Sequence, residues 1–104
     1  MGINVSHGAN QYGEERRSAT TIANLGKQLA HVLPSGDWRT IAFLFDGKVR
    51  CPLAVPPRKA LKIAGVLQRA AVNPLMPRDW AEDAQAFATA ARRAATARQP
   101  WEWS

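Results

Sequence analysis

Trp38 to Phe45, WRTIAFLF, is the densest apolar run in the chain, and turn formers bracket it: Pro34, Ser35, Gly36 and Asp37 before it, Asp46 and Gly47 after it. A large side chain taken fully out of water contributes about 2 kcal/mol, so the Trp, Ile, Leu and two Phe of this run belong in the core. What the run folds into decides the architecture. As a helix, Asp37 caps it, Gly47 follows its C-cap, and Trp38, Ile41, Ala42 and Phe45 share a face. As a strand, it turns at Asp46-Gly47 and returns along KVRC, a hairpin over 38–51. Its Thr, Ile, Phe and Trp content suits a strand. However, the apolar residues do not alternate, and the return strand meets Pro52 after four residues. The helix, 37–46, is therefore preferred, and an α+β arrangement with the hairpin is the alternative.

Proline and polarity divide the rest. Ile3 and Val5 alternate with Asn4 and Ser6, as in a short half-buried strand, and the stretch SHGANQYGEE that follows from Ser6 reads as loop. A helix is expected over 18–33, capped by Ser18 and stopped by Pro34. Ile22, Leu25, Leu29, Val32 and Leu33 form its stripe. Residues 48–56 carry Pro52 and Pro56 and read as irregular or extended. The Pro56-Pro57 pair starts a helix over 57–72, with Ala60, Ile63, Ala64, Leu67, Ala70 and Ala71 on its apolar side. Asn73-Pro74 breaks it, and Pro77 opens a last helix over 77–98, faced by Trp80, Ala84, Phe87, Ala91 and Ala94. Asp79, Glu82 and Asp83 lie early in it, and Arg92, Arg93 and Arg98 late, as the helix dipole favours. Beyond Pro100, Trp101-Glu102-Trp103 puts both indoles on one face of an extended segment. Pairing this tail with Ile3–Val5 gives both segments a partner. The expectation is a mainly α single domain, 1–104, of four helices with a small β-pair of the two termini.

At 104 residues a chain can bury a core without staples, and its single cysteine cannot form an intrachain disulfide. The first residues hold no apolar signal region, and no run is long enough for a membrane span. A cytoplasmic home is expected. Fourteen Lys and Arg against eight Asp and Glu leave a net charge of +6, which suits acidic partners such as nucleic acid or an acidic protein face.

Arg58, Lys62 and Arg69 fall within about 40° of one another on a helical wheel, opposite the apolar stripe of the third helix, with Lys59 to one side. A row of cations on a helix is what phosphate contact requires, so these four are the candidate anion or nucleic-acid contacts, against the alternative of a solvated helix face. Trp101 and Trp103 are candidate partner contacts if exposed, since Trp anchors interfaces and can stack on bases; otherwise they pack on the core. Cys51 has Arg50 and Lys48 nearby, and cations can lower a thiol pKa, but a catalytic cysteine needs a histidine base and neither His7 nor His31 is near in sequence. Ser6 and His7 are adjacent, so on a strand they point to opposite faces. His7, His31 and Cys51 lack zinc spacing, and there is no Walker loop, dinucleotide fingerprint or carboxylate pair. No catalytic residue, metal or cofactor is assigned.

The opening MGINVSHG, the middle GDWRTIAFLFDG, the helix start VPPRKALKIAGVL and the ending QPWEWS together resemble small uncharacterised actinobacterial proteins that share a domain of unknown function. The resemblance spans most of the chain. It implies a free-standing bacterial protein and no activity, cofactor or site. The functional expectation is a non-enzymatic interaction module that binds a macromolecular partner; the alternative is a nucleic-acid-binding protein that uses the basic face at 58–69.

Overall fold

The computed structural model describes residues 2–7 and 15–104, and they form four helices and a four-stranded antiparallel sheet. In chain order these are β1 (Gly2–His7), β2 (Glu15–Ser18), α1 (Ala19–Val32), α2 (Ser35–Phe45), β3 (Leu53–Val55), α3 (Pro57–Ala71), α4 (Arg78–Thr96) and β4 (Trp101–Trp103). The sheet order is β2-β1-β4-β3.

The central run is helical, so the hairpin over 38–51 does not form. Its start differs from expectation. α2 begins at Ser35, directly after Pro34, and Asp37 lies in the first turn rather than at the cap. Pro34 supplies an extended φ/ψ but no capping side chain, so the negative charge of Asp37 near the positive helix end is what the sequence offers there. At the other end, Gly47 has φ +83° and follows the C-cap Asp46, a left-handed position that suits glycine. Ser18 does cap α1, its Oγ accepting from the Thr21 amide at 3.0 Å. α4 ends two residues earlier than expected, in a Schellman turn: the Gln99 amide donates to the Ala94 carbonyl and the Arg98 amide to the Ala95 carbonyl, both at 3.0 Å.

The two termini pair, Val5 opposite Trp103 and His7 opposite Trp101. Asn4 and Ser104 extend the ladder by exchanging two backbone hydrogen bonds of 2.8 Å. The terminal pair is only the middle of a wider sheet, however. On one side β4 carries β3, with Leu53 opposite Trp103 and Val55 opposite Trp101. On the other, β1 carries β2, which was expected to be loop at its start. β2 reads Glu-Arg-Arg-Ser and has no apolar alternation to announce a strand. Its ladder to β1 holds it, and Arg17 ties it to α4: the guanidinium contacts Asp83 at 3.2 Å, with Glu15 of the same strand beside it at 3.0 Å. Of the loop expected from Ser6 onward, Ser6 and His7 belong to β1 and Glu15 to β2, while positions 8–14 lie outside the described residues.

Helices cover one face of the sheet. Val5, Val55, Trp101 and Trp103 are buried on that side, and Glu102 faces away. The hub of the core is aromatic. Trp103 stacks on Phe87 of α4 at 5.6 Å and meets Phe45 edge-on at 5.6 Å, and Trp101 meets Trp103 edge-on at 5.3 Å. Phe45 is thus buried with Ile41 and Leu44, whereas Trp38 and Phe43 of the same run are only partly covered. α3 and α4 form the most extensive helix pair. Buried alanines at 60, 64 and 70 of α3 and at 84, 88, 91 and 94 of α4 allow that close approach.

Candidate functional site

α2 and α3 run antiparallel. Asp37 at the start of α2 is bonded to Arg69 at the end of α3 at 3.2 Å, and Phe43 near the end of α2 lies under Lys59 at the start of α3. Between them opens a groove of about 460 Å³ lined by Arg39, Thr40 and Phe43 of α2 and Arg58, Lys59 and Lys62 of α3. On each helix the lining residues recur at i, i+1 and i+4, the spacing that puts side chains on one face. Arg39, Arg58, Lys59 and Lys62 form no ion pair among the described residues, and no carboxylate lines the groove. The Lys59 ammonium sits 4.2 Å from the centroid of the Phe43 ring, a cation–π contact.

The position of these cations is informative. Arg58 and Lys59 occupy the first turn of α3, which contains no acidic residue, and Pro56 caps it without a side-chain hydrogen bond. Cations at the positive end of a helix dipole cost about 0.3–1 kcal/mol each near the surface. The Phe43 ring offsets part of that cost for Lys59, Arg58 has no ion-pair partner among the described residues, and an anion in the groove would offset the cost for both. A second cavity, of about 500 Å³, is lined by His7, Thr89, Arg92, Arg93, Thr96 and Ala97. Its arginines lie in the later turns of α4, where the dipole stabilises them. Their charge is favoured by the helix they sit on, whereas the dipole of α3 opposes the charge at its head.

Three of the four basic residues expected on α3 therefore converge, and the fourth does not. Arg69 belongs to the far end of the helix and is neutralised by Asp37. In its place the fold adds Arg39, which helical-wheel reasoning on α3 alone could not reach, because the groove is made by two helices.

Trp101 and Trp103 have no exposed surface. A role as partner contacts requires exposure, and these rings are the centre of the core. Cys51 is a free, exposed cysteine whose thiol pKa is pushed up by partial desolvation. That is opposite to the shift an activated nucleophile needs. Ser6 lies opposite Glu102 and His7 opposite Trp101, so the two project to different faces of the sheet and make no dyad. His31 is exposed in the last turn of α1. No group of three metal-ligating side chains comes together among the described residues.

Residues 8–104 match the model of a family described as a domain of unknown function, DUF7739, and the chain belongs to that family. No curated protein and no solved structure matches it.

Proposed function

We propose that this member of the DUF7739 family is a non-enzymatic interaction module whose macromolecular partner is a nucleic acid, gripped through its phosphates in the groove between α2 and α3. The observation that carries the reading is the convergence of Arg39, Arg58, Lys59 and Lys62 around one concavity with no carboxylate in its lining. Phosphate contact needs several cations that can reach one backbone together, and two antiparallel helices supply them from both sides. The net charge of +6 adds a long-range field of the right sign. The proposal places the module in a bacterial cytoplasm, in line with the actinobacterial resemblance; no helix of the described residues is long and apolar enough to cross a membrane.

The test is a charge reversal with a matched control. Arg58→Glu with Lys62→Glu should weaken binding to a fluorescent oligonucleotide by about tenfold or more at about 0.1 M salt, where the Debye length is about 10 Å. Lys27→Glu with Arg78→Glu removes the same net charge from exposed positions outside the groove and should change affinity by no more than about twofold, since long-range charge is screened. Equal losses in both double variants would mean that the whole protein's charge, not the groove, attracts the ligand. Binding unaffected by the groove variant would remove the proposal. Capture of a partner from lysate that survives nuclease treatment and depends on the same residues would point instead to an acidic protein.

A further inference from the structure

We infer that the groove is built for a single strand rather than a duplex, with one base stacked on Phe43 while the cations hold the flanking phosphates. The inference rests on the proposed function and adds the conformation of the ligand to it. Its basis is the groove's lining: an aromatic residue, Phe43, with cations from both helices around it. Phe43 is only partly buried, although it belongs to the most apolar run of the chain. The Lys59 ammonium is 4.2 Å from its ring centroid, and Lys59 itself is exposed. A cation over a ring at an exposed site is a weak contact. A phosphate offers the same ammonium a stronger partner, so Lys59 can leave the ring for the backbone and uncover a π face in the same movement.

A cationic groove with an aromatic platform is the combination that binds unpaired strands, because every base has a π face and the backbone follows the charge. A duplex offers its phosphates to Arg39, Arg58 and Lys62 equally well. Its bases, however, are stacked inside and none can reach Phe43. The uncovered face of the ring thus meets a base only in a single strand.

The experiment compares a labelled twelve-nucleotide oligothymidine with a twelve-base-pair duplex, at one salt concentration, for the wild-type protein and for Phe43→Leu. The wild type should bind the single strand more tightly. Phe43→Leu should lose about tenfold for the single strand, the lower part of the range for one stacked base, and leave duplex affinity unchanged. Leucine retains most of the apolar volume, and a thermal melt of the variant confirms that it folds. Salt dependence separates stacking from charge. Phe43→Leu should lower affinity without altering the slope of log K against log salt, whereas Lys62→Ala should flatten that slope. If the duplex binds as tightly as the single strand, or if Phe43→Leu weakens both ligands equally, the inference is wrong and phosphate binding in the groove still stands. If neither ligand binds, the proposed function falls with it.

Discussion

Trp103→Ala is expected to remove a large share of the stability of this protein, although it changes one residue of a three-residue strand. Trp103 is fully buried. It stacks on Phe87 with an interplanar angle of 22°, and both Phe45 and Trp101 meet it edge-on. It also sits where three strands meet, opposite Val5 of β1 and Leu53 of β3. Truncating a buried aromatic residue costs about 3–5 kcal/mol, against a total stability of about 5–15 kcal/mol for an ordinary domain. Urea denaturation followed by far-UV circular dichroism should show the loss as a large fall in the unfolding midpoint. Trp103→Phe should lose much less. It keeps an aromatic ring against Phe87 and removes an indole N–H that is buried without a hydrogen-bond partner among the described residues. An alanine variant within about 1 kcal/mol of the wild type, below the usual cost of such a truncation, would mean that the tail merely rests on the fold.

Gly26→Ala is the second large effect, and its sign is the point of interest. In an exposed helix interior, alanine for glycine stabilises by about 1 kcal/mol. At position 26 a Cβ would lie 1.8 Å from the Phe45 carbonyl oxygen and 2.8 Å from its carbonyl carbon. Those are backbone atoms at the end of α2 and cannot rotate away. α1 and α2 would have to separate, and overpacking of this kind costs about 1–3 kcal/mol or more. The same substitution at Gly65 of α3 is the control. There the new Cβ meets only the Arg69 guanidinium, at 3.5 Å, so alanine should follow its propensity and stabilise the protein. Urea midpoints that move in opposite directions for Gly26→Ala and Gly65→Ala would establish the close α1–α2 contact. A stabilising Gly26→Ala would contradict it.

The four helices were legible because each combines a periodic apolar stripe with a proline, glycine or serine at its ends. The terminal pairing was legible from two short alternations, Ile-Asn-Val and Trp-Glu-Trp. β2 was not, because Glu-Arg-Arg-Ser has no apolar alternation: it is a strand by its ladder to β1, and Arg17 finds Asp83 on a distant helix. β3 was not, because three residues between prolines carry too little pattern, and they are strand only by lying beside β4. The site was half legible for the same reason. Arg58, Lys59 and Lys62 stand out on one wheel, whereas the inclusion of Arg39 and the neutralisation of Arg69 by Asp37 depend on how α2 lies against α3. Partnership across helices is a property of packing, which a wheel drawn for one helix does not contain.

The central claim is that the cations of the α2–α3 groove act together on a phosphate backbone. The most direct measurement is the salt dependence of oligonucleotide affinity for the wild type and for a variant with Arg39, Arg58, Lys59 and Lys62 all changed to alanine. Releasing counterions from four single-strand phosphates predicts a slope of log K against log salt of about −3, and the variant's slope should fall close to zero. A wild-type slope near zero, or one that the four substitutions leave unchanged, would contradict the account.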